Sequence, residues 1–316
     1  MGIRLGGMMK DYPYFTALGF CSNDFLSFLP EIPLDNKVRI LKHIVQGGGP
    51  AATSAVAAAR LGVPAAFIGA VGDDDPGKWI LRDFEKEHVC TRGVAVRRGC
   101  SSAIAYCWID ARNGKRSVAW TQGDLKELAP EEIDMDLVRH AKVLHLDGHH
   151  AGAALAAARE ARKSGVPVSL DAGTWRESMR PLLPLTTFLI ASESFARQYS
   201  GEEDLEKAIF KLGEIGAPVT GITMGEKGSM ALDKGKILYC PAFRITPVDT
   251  TGAGDVYHTG FALRYLETQD LMESMRFASA VSALKCLQPG GRTGIPGRAE
   301  VDRFLKNNGV TPQKGI

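Results

Sequence analysis

Chemistry is most densely encoded in residues 248–255, Val-Asp-Thr-Thr-Gly-Ala-Gly-Asp, which run directly into an apolar helical stretch. Gly252 and Gly254, with Ala253 between them, permit a sharp turn and a close backbone approach to a ligand, and the first turn of the helix leaves its N–H groups without intrahelical partners. A helix start of this kind favours an anion, a phosphoryl group above all. Asp255 stands where its carboxylate could take a proton from a hydroxyl held beside that anion. Transfer of phosphate to an alcohol needs this pairing of anion hole and base. The plainer reading is a strand-to-helix loop in which Asp255 only complements the helix dipole, and the motif alone leaves both open.

A second glycine cluster, Gly47-Gly48-Gly49-Pro50-Ala51-Ala52-Thr53, opens an Ala-rich helix, with Pro50 suited to the first turn because its missing N–H would be unpaired there anyway. The pattern Gly47-x-Gly49-x-x-Ala52 also matches a dinucleotide fingerprint, with Asp73 downstream, but the preceding segment 38–46 mixes Arg39, Lys42 and His43 with apolar residues. A dinucleotide-binding first strand is buried throughout, so an NAD-dependent oxidoreductase is a remote alternative. Residues 72–79, Gly-Asp-Asp-Asp-Pro-Gly-Lys-Trp, have P-loop spacing up to the last position. Three carboxylates would repel phosphates there, and Trp79 offers magnesium no hydroxyl, so 72–77 reads as a turn capping a helix. His145, His149 and His150 read as loop histidines near a pocket rather than metal ligands, since the segment offers one acid, Asp147, and no H-E-x-x-H.

The elements that must hold these motifs follow from the pattern of apolar residues. Short apolar runs at 65–68, 143–146, 166–170, 188–190 and 219–223 suit strands buried on both faces. Helical periods lie between them at 51–61, 78–87, 151–163 and 204–215, with two longer ones at 254–266 and 271–287. The alternation predicts an α/β fold, a three-layer α/β/α core around a mostly parallel sheet. Segments 25–46 and 101–120 break the rhythm with alternating, half-exposed strand patterns, and Asn113-Gly114 is a hairpin signal. They are expected to form a small β-sheet lid over one end of the core, with Arg39, Lys42, Arg112, Lys115 and Arg116 on its solvated outer face.

Composition bounds the partners. The chain has 316 residues, 45% hydrophobic and 23% charged, which excludes global disorder, and a single domain spanning 1–316 can bury an adequate core. Lys+Arg 38 against Asp+Glu 36 is too balanced for a nucleic-acid surface. No run of about 18 apolar residues and no secretory leader points to a membrane or export. The six cysteines lack C-x-x-C pairs and zinc spacing, as expected of reduced thiols in a cytoplasmic protein.

Taken together, Gly48-Gly49 opening a helix and continuing to Gly72-Asp73, with 249–255 near the C-terminus, resembles the two signature regions of ribokinase-like (PfkB) carbohydrate kinases, over essentially the whole chain. Thr223-Met224-Gly225-Glu226-Lys227-Gly228 looks like the family's strand-and-turn segment beside the nucleotide. The resemblance implies ATP and Mg2+ as cofactors and assigns Asp255 as base, with the amides of Gly252, Ala253 and Gly254 stabilising the migrating phosphoryl. It places sugar hydroxyls against Asp24, Gly48 and Gly49, with Thr53 where relatives carry Asn. Thr223, Gly225 and Gly228 would border ATP, with Ser282 and Cys286 near the adenine. In many relatives Asp249 and Thr251 belong to a loop holding a monovalent cation such as K+.

The chain departs from the family at 192–195, Ser-Glu-Ser-Phe, where an N-x-x-E motif organises magnesium in relatives. The ligands of Mg2+ are therefore unassigned, the phosphates and water being expected to hold it. Segments 47–53, 255–258 and 283–292 look closest to the sulfofructose kinase branch, then to ketohexokinase. Lys37 matches one lysine of the sulfonate clamp, while the other clamp positions fall near Trp120 and Gly148, so a sulfosugar is not assigned; the plainer reading of Lys37 is an exposed lid lysine. The expected protein is an ATP-dependent kinase of a small ketose or furanose sugar, a homodimer through its lid. A nucleoside kinase on the same fold, using Phe25, Trp108 and Trp120, and a non-catalytic sensor are the alternatives.

Overall fold

The computed structural model describes residues 12–112 and 116–309, so the expected Asn113-Gly114 turn and Lys115 lie outside the described residues. Along the chain the strands are β1 (Phe15–Leu18), β2 (Ser22–Leu29), β3 (Lys42–Gly48), β4 (Ala65–Gly72), β5 (Val89–Arg97), β6 (Ile104–Asp110), β7 (Arg116–Thr121), β8 (Val143–Leu146), β9 (Val168–Ala172), β10 (Phe188–Ser192), β11 (Val219–Thr223), β12 (Ser229–Asp233) and β13 (Lys236–Cys240). The α-helices are α1 (Pro50–Arg60), α2 (Asp75–Lys86), α3 (Met135–Arg139), α4 (Ala151–Lys163), α5 (Glu193–Ser200), α6 (Leu205–Gly213), α7 (Ala253–Thr268), α8 (Leu271–Lys285) and α9 (Arg298–Asn307).

Nine strands form one sheet in the order β13-β12-β11-β10-β9-β8-β1-β4-β5, parallel from β11 to β5 and closed at the other edge by the antiparallel β12–β13 hairpin. Successive residues of a strand face opposite sides. Phe15, Ala17, Phe67 and Val143 accordingly enter one core beneath α1, α7 and α8, while Leu18, Ile68, Leu144 and Leu146 enter a second core beneath α4, α5 and α6. Both faces being covered explains why these strands read as short, largely apolar runs. α1 is buried from Ala51 to Ala58, and its alanines let α7 and the sheet approach closely.

The expected lid segments form a second sheet, β3-β2-β6-β7, in which β2 pairs antiparallel with β3 and parallel with β6. The strand leading into the glycine cluster belongs to this half-exposed sheet, which removes the dinucleotide-fingerprint reading. Residues 72–77 do cap a helix: Asp74 precedes α2 and its Oδ1 accepts from the Gly77 amide (2.9 Å). No helix among the described residues is long and apolar enough to cross a membrane.

Candidate active site

Ligands of parallel sheets bind beyond the carboxyl ends of the strands. Here those ends deliver Phe20 after β1, Asp147 after β8, Asp171 within the last turn of β9 and Thr223 at the end of β11. Two helices then bring the glycine segments to the same edge. Ser54 Oγ of α1 donates to the main-chain oxygen of Asp255 (3.2 Å), and Thr259 Oγ1 of α7 donates to Ser54 O (3.2 Å).

Each glycine of the first cluster makes room for a particular group. A Cβ at Gly47 would strike the Arg292 guanidinium, one at Gly48 the Asp24 carboxylate, and one at Gly49 the main chain at Phe20. Gly49 also takes φ of 91° at the mouth of α1, a conformation that disfavours other residues. Asp24 Oδ1 accepts from Ser22 Oγ (2.6 Å), and burial holds its carboxyl above the usual range. Gln46, Asp24, Ala105 and Trp120 form one cross-strand row, and Trp120 meets Phe20 edge-on at 6.1 Å. The small sheet thus presents Asp24 and Trp120 to the same space as Gly48.

At the second cluster, Gly252 adopts φ of 76° immediately before α7, so Ala253, Gly254 and Asp255 form the first turn. Open space surrounds Gly254. A cavity of about 810 Å³ lies there, lined by Ala253 and Gly254 and by Thr223, Gly225, Gly228, Ser282 and Cys286. Every residue expected beside the nucleotide therefore shares one cavity with part of the expected anion hole. The apolar wall formed by Phe243, Ile245 and Pro247 carries no strand or helix period and was missed in the sequence.

Asp255 stands over a buried charged cluster. Burial, then the neighbouring Asp171 charge, push its carboxyl up to about 7, with His258 opposing them. Asp171 Oδ1 lies 3.2 Å from His258 Nε2. Although burial disfavours charge on both, their contact holds the Asp171 carboxyl below its usual range and the His258 imidazole above its own. His145 is pushed down to about 4 by burial and by the His258 charge, and its Nδ1 is 3.2 Å from Ser169 Oγ. His145 is thus a buried strand residue and not the expected loop histidine. His149 stacks on Phe20 (5.0 Å between ring centroids), and His150 Nδ1 accepts from the Leu128 amide (3.2 Å).

Other expectations are corrected. Thr53 is buried, with its hydroxyl 3.5 Å from Arg292 Nε, so its side chain faces a guanidinium instead of the open pocket. Lys37 is exposed, on the segment between β2 and β3. Arg116 leaves the outer face of the small sheet: its register on β7 puts it on the Asp24 side, and Nη1 bonds Asp249 Oδ1 (3.1 Å) and Thr251 Oγ1. Glu193, the one acid at the altered magnesium motif, is ion-paired with Arg197 (2.9 Å). Among the described residues no group of three His, Cys, Asp or Glu could hold a metal.

Two positioning residues had only faint sequence signals. Asp147, an acid at a strand end before Gly148, accepts through Oδ2 from the amides of Phe20 (2.8 Å) and Ala51 (3.1 Å). Arg292, within Gly290-Gly291-Arg292, donates to Gly48 O (3.0 Å) and Asp83 Oδ2 (2.8 Å), tying the first glycine cluster to the segment that follows α8.

The family model of the pfkB carbohydrate kinases matches residues 14–298. A ribokinase of Haemophilus influenzae is 29% identical over 82% of this chain and 87% of its own length. An ATP-dependent ribose-1-phosphate kinase of Halopiger xanaduensis is 31% identical over 88% of this chain and 92% of its own. The solved structure of Arabidopsis thaliana ribokinase complexed with ribose and ATP superposes with a TM-score of 0.80 at 24% identity, covering 93% of this chain and 99% of that one.

Proposed function

Because the chain belongs to the pfkB family of carbohydrate kinases and is a sugar kinase, we propose that it transfers the terminal phosphoryl group of Mg·ATP to a primary hydroxyl of a ketose or related furanose. The observation that supports this reading is that the first turn of α7 lines a nucleotide-sized cavity and is tied through Ser54 to α1, the helix opened by the glycine cluster whose Gly48 packs on Asp24. The sugar O–H gives its proton to the Asp255 carboxylate as its oxygen bonds to the γ-phosphorus, and the bond from that phosphorus to the β–γ bridging oxygen breaks, releasing ADP. The amides of Gly252, Ala253 and Gly254 would face the charge that develops on the phosphoryl oxygens, that of Ala253 giving up its bond to Thr250 O (3.2 Å) to do so. Asp24 accepts from other sugar hydroxyls, with Gly48 and Gly49 allowing close approach. Thr223, Gly225, Gly228, Ser282 and Cys286 border the nucleotide. Bound Mg2+ would neutralise phosphate charge.

The small sheet serves as the lid of one kinase unit spanning the chain. Trp108, 41% exposed, and Tyr106, 46% exposed, on the face opposite Asp24 support a homodimer through that lid. Thermal shift with Mg·ATP and a panel of ketoses, pentoses and nucleosides, followed by ATP consumption with each, tests the proposal. Stabilisation and turnover by a furanose-forming sugar are expected, since a ligand at 100 times its Kd adds about 2.7 kcal/mol; a response to nucleosides alone, or binding without turnover, would overturn it.

A further inference from the structure

The loop entering α7 disagrees with the monovalent cation site that its sequence resemblance implies. A potassium ion is held where oxygens replace its hydration shell. In this chain those oxygens already have partners. The main-chain oxygen of Asp249 accepts from Lys285 Nζ at 2.9 Å. Asp249 Oδ1 accepts from the Thr251 amide (2.8 Å), the Thr251 hydroxyl (2.7 Å) and Arg116 Nη1 (3.1 Å), and Oδ2 accepts from the Gly290 amide (2.8 Å). The last carbonyls of α8 are also engaged: Ser282 O by the Cys286 amide, Leu284 O by the Leu287 amide, and Cys286 O by the amides of Val248 and Asp249.

Lys285 is itself an outlier, fully buried where lysines almost never are. A buried ammonium persists only with compensation. Here it has a carbonyl partner, the negative end of α8, and the charges of Asp249 and Asp255 within range. From the same helix, Ser282 Oγ donates to Ala253 O (2.8 Å) in the first turn of α7.

We propose that the Lys285 ammonium is a built-in replacement for the monovalent cation, fixing with Arg116 the loop that presents the amides of Gly252 to Gly254, so that nucleotide binding requires no potassium. Lys285 is a positioning residue acting through Asp249. The inference rests on the nucleotide reading of the adjoining cavity, and the experiment separates the two.

Affinity for Mg·AMP-PNP is measured by calorimetry at constant ionic strength in N-methylglucamine chloride and in potassium chloride. The native chain binds equally in both, within about twofold, whereas Lys285→Ala binds about tenfold more weakly in N-methylglucamine. Potassium, ammonium or methylammonium restores the variant, because each can enter the vacated space, and tetramethylammonium does not. A structural defect alone would not respond selectively to small cations. Native binding that appears only in potassium overturns the inference, as does a variant deaf to every cation or equally responsive to all. Should Lys285→Ala not fold, Lys285→Met keeps the stem without the charge, and its native affinity in N-methylglucamine would overturn the inference. Absence of binding by the native chain in either salt removes the nucleotide reading instead.

Discussion

Asp255→Asn removes the proposed base while keeping the side chain's shape, and the surroundings of Asp255 set two opposite effects. Turnover falls by about 10²–10⁴, the usual contribution of a positioned general base, with Mg·ATP affinity held within about threefold. Stability moves the other way. The unfolded carboxyl, with an ordinary value of 3.8, is ionised above about pH 5, whereas burial and Asp171 push the folded one up to about 7. A folded value above the unfolded one favours the folded chain at low pH, and that contribution is lost as pH rises through about 7. Relative to the Asn variant, the native chain therefore loses stability between pH 5 and pH 7, on the order of 3 kcal/mol in all, and nothing further above that. At about 2 °C per kcal/mol for a chain of this size, the gap in melting midpoint widens by several °C in favour of the variant. Melts of both proteins across that range, run beside a coupled assay of ATP consumption, read the two effects independently. A gap that does not change with pH, or native turnover by the variant, would refute a partly buried base at 255.

Gly48→Ala drives a methyl group into the Asp24 carboxylate, so KM for the sugar rises by about tenfold or more, while the Kd of Mg·AMP-PNP is unchanged by calorimetry. Arg292→Met leaves Asp83 and the Gly48 carbonyl without their buried partner, a loss of about 3–5 kcal/mol by urea denaturation. Cys286→Trp fills the cavity beside α8, and the stabilisation of about 2.7 kcal/mol that saturating Mg·ATP gives the native chain disappears from its thermal shift.

The parts of this molecule that could be read from sequence are those where one segment carries its own instruction. Fully apolar runs such as 65–68 announced strands covered on both sides, and the glycine spacing around 48 and 252 announced close approach. What stayed hidden depends on distant partners. Arg116 reads as a solvated lid charge until strand register turns it towards Asp249, and Thr53 reads as a pocket residue until Arg292 takes its hydroxyl. β5 is only partly covered and β12–β13 is a short edge hairpin, so neither showed the long apolar run used to find its neighbours. His258 lies one turn beyond Asp255 and looks like an ordinary helix residue; its partner Asp171 comes from a strand 87 positions earlier, a pairing that only the folded sheet creates.

The row Gln46, Asp24, Ala105 and Trp120 belongs wholly to the small sheet, whereas the amides and carboxylate proposed for phosphoryl transfer come from the start of α7. Acceptor choice and bond-making are therefore inherited on separate pieces of the chain. Ala105, the smallest side chain in that row, marks where a lineage could trade one sugar for another by changing bulk alone, leaving the catalytic apparatus as it found it.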